Sequence, residues 1–454
     1  MMAVYFEKKP ILHSKLPMRA IPLALIFILT AVFFSRCSST RKVAAETTPS
    51  LPTSPPVKMP SDSTTNDTFF EKLFRSHPEL LFALKDKKIS NIQVVYTKIT
   101  RKADQEPMLE HHFFNTAGAD YFYPASMVKL PVVLLALQKL HELEKFGVTI
   151  NSTMITRAAW SGQEETYNDP NSPDGRPTIA GYIKRILLVS DNDAYNRLYE
   201  FLGQEYINEQ LARKGYTSAR IWHRLNIFLS EEENRRTNPV SFYDTSGNLL
   251  YEQPMLVNRK PQEVRHDFIG KGYYSNGNLV MQPMDFSRKN RLSLTDLHGI
   301  LQSVIFPVTV PATRRFTLTP EDRNFVLKYM SAWPRESLYP SYDSSFNDSY
   351  SKFLFYGGSL PVKPGIRIFN KEGDAYGQLT DASYFTDKLN GREFLLSATI
   401  YCNSDGIIND DKYDYENYGL PFLKNMGQAI YEYELTRKLP VKPDLSPFIF
   451  PWGN

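Results

Sequence analysis

The sequence predicts an α/β (α+β) fold: a sheet assembled from both ends of the ordered chain, flanked by helices, with a helical domain inserted between its halves. Two observations predict it. Strand-like segments lie near residues 92–115 and again from 366 to 401, whereas the stretch between them carries mostly helical periodicity. Strands at both chain ends with helices in the middle pack most simply as one layer that closes around an insertion. The 454 residues are 42% hydrophobic, with 27 Tyr and 29 Phe, so a sizeable core can be built.

The elements follow in order. Basic residues precede an apolar run from Ala20 to Phe34, which ends at Ser35-Arg36-Cys37. Fifteen apolar residues are short for a membrane span and suit a signal-peptide core. A start at Met18 gives a more ordinary signal length. Ser38 to Asp67 is rich in Ser, Thr and Pro and reads as a flexible tether. Order begins near Phe69 with a helix-like run that continues through Leu80, Leu81 and Leu84. Ile92 to Ile99 reads as a strand, with His111 to Asn115 as its partner. Helical periodicity runs from Ser126 through Ile183–Val189 and Asn196–Leu202, stopping at Gly203. Residues 238–290 lose it and read as an insertion of loops and hairpins. Leu292 to His298 restarts a helix, with Ser293 or Thr295 as cap. Strands follow at Ile366–Lys371, Ala382–Thr386 and Phe394–Tyr401, and Leu423–Leu435 is a final amphipathic helix. The expected organisation is a leader over 1–37, a disordered linker over 38–68 and one domain over 69–440. Its α/β layer comes from about 69–125 and 300–440, and its helical part from about 126–300.

Charge excludes one class of partner. The net charge of +4 belongs to residues 1–36, which hold five bases and one acid; without them 48 bases face 48 acids. Nothing argues for nucleic acid. Of the two cysteines, Cys402 lies in an apolar run and reads as a small core residue. His111, His112 and His223 are metal ligands by type but lack ligand spacing, so no metal and no cofactor is expected.

Three motifs carry chemistry. Ser126-Met-Val-Lys129 places a serine and a lysine one helical turn apart, so the amine can take the proton from a hydroxyl that is a poor nucleophile alone. A helix N-terminus also favours the oxyanion that develops there. Ser190-Asp191-Asn192 falls at a helical break. Its serine can relay a proton and its Asn192 amide can bind substrate or Lys129, although all three residue types are also good helix caps. The third motif is Lys371-Glu372-Gly373-Asp374, on a strand read as ending at Gly373. Lys371 supplies positive charge, Gly373 permits close backbone approach, and the N–H of Asp374 joins that of Ser126 as an oxyanion hole. Lys363-Pro-Gly365 is the rival for this place.

These three elements, in this order, resemble the active-site serine penicillin-recognising enzymes, whose set is S-x-x-K, S-D-N and K-T-G in class A β-lactamases and penicillin-binding proteins. The run from Thr178 to Asn196 resembles the class A helix that leads into S-D-N. Leu211-Ala-Arg-Lys-Gly-Tyr216 and Arg224-Leu225 resemble the entry to that family's omega loop, and Arg236-Thr-Asn-Pro239 its exit. The resemblance spans roughly Phe69 to Leu435 outside the insertion. It implies a β-lactamase/transpeptidase-like antiparallel sheet flanked by helices, and a serine hydrolase working through an acyl-enzyme. Ser126 is then the nucleophile, Lys129 its base, Ser190 and Asn192 proton and orientation groups, and Lys371 the source of positive potential. The substrate is a small-molecule or peptide amide or ester, either a β-lactam or a peptidoglycan-related peptide, and the chain is expected to be a monomer. Cys37 resembles the lipid-modified cysteine of bacterial lipoproteins, with Arg36 where a small residue is usual. That implies an exported protein of the periplasm or outer membrane, held to membrane only by a lipid at Cys37.

Two departures stand out. Glu372 occupies the place of a Thr or Ser that binds substrate carboxylate in the family. Facing such a carboxylate it repels by roughly 4 kcal/mol at 4 Å and an effective dielectric near 20; strand alternation offers it the other face. Counting on from Arg224-Leu225 puts Leu229 where class A enzymes hold their deacylating Glu. Glu231, Glu232 and Glu233 lie close behind, either re-aimed as that base or forming a solvated acidic turn. A catalytically impaired envelope protein of the same fold that binds peptide or glycan is the competing reading.

Overall fold

The computed structural model describes residues 68–86, 90–118 and 120–452. The chain separates into two units, Met1–Pro55 and Pro56–Asn454, and every described residue belongs to the second. The leader, Cys37 and the tether through Asp67 lie outside the described residues.

Five antiparallel strands form the central sheet: β1 (Gln93–Arg101), β2 (Pro107–Phe114), β3 (Ile366–Ala375), β4 (Gln378–Asp387) and β5 (Arg392–Tyr401). Their order is β3-β4-β5-β1-β2, so the two chain ends meet where β5 pairs with β1. Alternation divides the side chains cleanly. Val94, Tyr96, Leu396 and Ala398 face the outer helices α1 (Thr68–Ser76) and α7 (Leu420–Thr436). Val95, Leu395, Tyr384 and Phe369 face the helical side, built from α2 (Lys129–Leu143), α3 (Ile179–Val189), α4 (Asn192–Leu202), α5 (Leu294–Ile305) and α6 (Pro320–Ser331). His298 on α5 ties the layers together: its ring nitrogens contact Thr97 Oγ1 at 2.7 Å and Ser397 Oγ at 2.8 Å, both on the same sheet face.

Several boundaries differ from expectation. The first helix stops at Ser76, because Pro78 starts a separate 3-10 turn before a short helix at Phe82–Asp86. β3 runs past Gly373 to Ala375. The tight turn is Tyr376-Gly377, both left-handed (φ 53° and 79°), as a two-residue hairpin of this twist requires. Lys363-Pro-Gly365 lies before β3, at its opposite end from Gly373. Ser293, not Thr295, caps α5 by accepting from Asp296 N. Residues 238–290 hold short strands, as an insertion of hairpins should.

The segment from 222 to 238 is pinned from inside. Asn196 on α4 exchanges hydrogen bonds with the backbone of Leu225 (2.8 and 3.0 Å). Arg224 donates to Glu200 at 2.8 Å and to Asn238 at 3.1 Å, and Arg197 lies 3.2 Å from the other Glu200 oxygen. Burial raises the Glu200 carboxyl above its usual range in spite of both arginines. Removing one member of such a cluster strands the others in a poor solvent. Glu200→Ala is expected to lower unfolding free energy by about 3–5 kcal/mol, measured by urea denaturation. A loss within 1 kcal/mol, roughly that of an exposed pair, contradicts the buried cluster.

Candidate active site

Ser126 sits at a strained bend. Ala125 is held at φ 45°, a left-handed conformation that costs a non-glycine residue about 1 kcal/mol or more. The 3-10 turn Ala125–Val128 follows and runs directly into α2 at Lys129. Ser126 therefore lies on the turn that enters the helix, half-buried, with its hydroxyl toward the lysine one turn on.

Lys129 is fully buried, and its Nζ has a defined set of neighbours: Ser126 Oγ at 2.9 Å, Asn192 Oδ1 at 2.7 Å, the Ser190 carbonyl oxygen, and Ser190 Oγ at 3.3 Å. Burial pushes the amine well below its usual range, and the positive charge of Lys371 adds to the effect. A neutral amine has two N–H donors and one lone pair. The Ser190 carbonyl and the Asn192 amide oxygen can only accept, so they take the two donors. The lone pair is left for the Ser126 hydroxyl, the arrangement a general base requires.

The helix break explains why Ser190 and Asn192 reach this point. Ser190 is left-handed (φ 61°) and ends α3, and Asp191 caps α4 by accepting from Ala194 N at 2.8 Å. Arg185 holds Asp191 at 3.0 Å. The cap role and the site role are thus divided among neighbours: Asp191 caps, while Ser190 and Asn192 face the lysine.

Lys371 completes the cluster from β3. Its Nζ donates to Ser190 Oγ at 2.7 Å and to the Glu372 carbonyl oxygen at 2.8 Å, and lies 3.2 Å from Glu372 Oε1. Three acceptors match the three donors of an ammonium. Ser190 Oγ therefore bridges the two lysine amines, at 3.3 Å from Lys129 and 2.7 Å from Lys371. Glu372 is 5% exposed, and its carboxylate meets the charge of Lys371 while also lying within electrostatic reach of Lys352 and Asp381. The positive potential expected of Lys371 is shared within this pair, and the next carboxylate, Asp374, is exposed.

Gly373 matters through space. A Cβ there would lie 2.8 Å from the Pro124 carbonyl oxygen and 3.0 Å from Ser126 N. β3 thus lies against the backbone at Ser126.

The three loop acids are placed elsewhere. Ser230 and Glu233 form a capping box, and Glu233 also accepts from Ser161 at 3.1 Å. Glu231 pairs with Arg235 at 2.8 Å, and Glu232 pairs with Arg236. None has a hydrogen bond or ion pair with the Ser126 cluster among the described residues. The histidines are also engaged: His111 contacts Thr97 at 2.7 Å and His223 contacts the Arg224 carbonyl at 2.6 Å. Cys402 is buried in the core, which pushes its thiol up.

Two features went unseen in the sequence. One is the Arg185 brace, whose only signal was an arginine within an apolar helix. The other is an aromatic shoulder beside Ser126. Tyr123 packs against Tyr376 (5.1 Å between ring centres), Phe286 (5.9 Å) and His223 (6.1 Å, stacked). Burial lowers the His223 imidazole to about 4, so it packs there uncharged. Phe286 closes the insertion, which thereby walls the site.

A family model described as the beta-lactamase enzyme family matches residues 87–433. The chain belongs to the beta-lactamase enzyme family. Its fold is similar to solved β-lactamases at low identity. The Burkholderia ambifaria enzyme is 13% identical, with 79% of this chain and 99% of that chain covered and a TM-score of 0.43. The Burkholderia phymatum enzyme is 12% identical over 81% and 97%, at 0.42. The enzyme of Sphaerobacter thermophilus is 11% identical over 76% and 94%, at 0.39. No curated protein matches.

Gly373→Ala tests the contact between β3 and the nucleophile. Its methyl is expected to displace the strand or block Ser126 N–H, reducing acylation of Ser126 by about 10²-fold, the scale of one lost oxyanion donor. Stopped-flow acylation with a chromogenic β-lactam or ester measures this; an unchanged rate contradicts an oxyanion hole at this place.

Proposed function

We propose that the protein is a serine hydrolase that acts on an amide or ester through an acyl-enzyme. The observation that carries this is the buried Lys129 amine 2.9 Å from Ser126 Oγ, with its donors already engaged. Lys129 takes the hydroxyl proton as Oγ bonds to the substrate carbonyl carbon. The oxyanion is held by the N–H groups of Ser126 and Asp374. The proton passes from Lys129 through Ser190 Oγ, 3.3 Å away, to the leaving nitrogen or oxygen as the scissile bond breaks. Lys371, donating to Ser190 Oγ at 2.7 Å, holds that hydroxyl in place for this relay.

Water then attacks the acyl-enzyme. With the loop acids engaged elsewhere, Lys129 is the base left in the cluster, which supports slow deacylation and penicillin-binding or D-alanyl-peptidase-like behaviour over rapid class A turnover. The pairing of Glu372 with Lys371 disfavours a substrate carboxylate at β3 and favours neutral or cationic groups. The sequence of the leader supports export to the periplasm or outer membrane as a lipoprotein anchored at Cys37.

Intact-protein mass spectrometry of the full chain with benzylpenicillin tests the reading. An adduct on Ser126 that decays slowly, is absent in Ser126→Ala and forms about tenfold faster in Glu372→Gln is expected. An adduct retained in Ser126→Ala overturns the nucleophile. With no adduct from benzylpenicillin or from an uncharged activated ester, the chain is a binding protein of this fold.

A further inference from the structure

The insertion reaches the site through Phe286. Its ring is fully buried among Tyr121 (6.1 Å between ring centres), Tyr123 (5.9 Å) and Tyr376 (5.2 Å). Tyr123 lies three residues before Ser126, and Tyr376 two residues after Asp374. Phe286 is thus wedged between the two segments whose N–H groups are proposed to hold the oxyanion. Both segments bend beside it: Ala125 (φ 45°) and Tyr376 (φ 53°) are left-handed. Such backbone persists where its surroundings over-determine it.

The insertion has little sheet with which to hold that ring. The paired strands around it, Phe268–Ile269 and Met284–Asp285, are two residues long. A buried arginine takes the place of a longer ladder. Arg265 Nη2 donates to the Phe286 and Lys289 carbonyl oxygens, both at 3.0 Å, and Nε donates to the Ser287 carbonyl oxygen at 3.2 Å. Only a planar fork of donors can span three carbonyls in this way. The guanidinium lies over the rings of Trp222 (4.9 Å) and Tyr121 (5.5 Å), and Asp267 is 3.0 Å from Nε.

Asn290 closes the other end of the strip. Its Oδ1 accepts from Trp222 N at 2.8 Å and His223 N at 3.1 Å, and its carbonyl oxygen accepts from the Tyr121 hydroxyl at 2.8 Å. Residues 286–290 are therefore fixed at both ends, with Phe286 the part that faces the Ser126 turn. Arg265 has no hydrogen bond or ion pair with Ser126, Lys129, Ser190, Asn192 or Lys371 among the described residues.

We propose that Arg265 is a positioning residue for acylation of Ser126: by gripping the carbonyls of 286–289 it seats the Phe286 ring, which holds Tyr123 and Tyr376, and with them the Ser126 turn and the end of β3, in register. This rests on the serine-hydrolase reading above. Stopped-flow acylation of the full chain by p-nitrophenyl acetate, with Ser126→Ala as background, separates the acylation rate constant from the Kd of the ester. Arg265→Gln and Phe286→Ala are each expected to slow the rate constant at least about tenfold, toward the roughly 10²-fold that about 1 Å of misplacement costs. Kd is expected to stay within about twofold and the pH midpoint unchanged, since Lys129 is untouched. Phe286→Leu, which restores most of the volume, is expected to recover the rate constant to within about threefold. Arg265→Lys keeps a cation without the fork; it is expected to show the same loss as Arg265→Gln and carries the test if that variant does not fold. A wild-type rate constant in a folded Arg265 variant overturns the inference and leaves the hydrolase reading standing, as does a loss confined to Kd. No acylation of the unaltered chain by p-nitrophenyl acetate or benzylpenicillin overturns that reading and this inference with it.

Discussion

The site depends on one amine kept out of water. Lys129 enters the interior at the first position of α2, and the low-polarity surroundings make its charged form expensive. Glu372, Asp191 and Asp374 favour the charged form, and burial outweighs them. Asn192 and the Ser190 carbonyl occupy its donors, Ser126 faces its lone pair, and Lys371 raises the cost of a second positive charge close by. An amine is a base only above its pKa. A depressed pKa therefore makes Lys129 competent as the proposed base at a lower pH than a free lysine, and the proposed acylation is expected to be lost as pH falls through that value.

That arrangement explains why the fold is built from both chain ends. The serine and lysine come from the turn after the first hairpin, Ser190 and Asn192 from a helix break, and Lys371 from an edge strand late in the sequence. Only a sheet in which β5 pairs with β1 brings the third motif to the first two. The edge position of β3 matters as well. It leaves room for Glu372 to fold back on Lys371, and it lets Gly373 approach Ser126 without a side chain between them. The insertion adds the aromatic shoulder that fixes Tyr123, three residues before the nucleophile.

Much of this was legible because the chemistry is local in sequence. Ser126 and Lys129 need only one helical turn, and the left-handed Ser190 lies where the helical pattern broke. The strand ends were less legible. Gly373 looked like a terminus, yet cross-strand pairing from Asp374 to Leu379 carries β3 onward to the Tyr376-Gly377 turn. Pro78 cut a helix that its leucine spacing had extended. The pairing of Glu372 with Lys371 was not legible, since alternation places the Cβ atoms of neighbours on opposite faces but not the ends of long side chains at a sheet edge. The ring contacts of Tyr123 with Phe286 and Tyr376 join residues by long-range packing, which no local pattern reports.

The most direct test reads the protonation state of Lys129 itself. Lysines labelled with carbon-13 at Cε report their charge through the chemical shift, and loss of one signal in Lys129→Arg assigns the resonance. The account predicts a Lys129 that titrates well below the usual lysine value of about 10.4. A Lys129 that stays charged until about pH 10 contradicts it, because Ser126 then has no base.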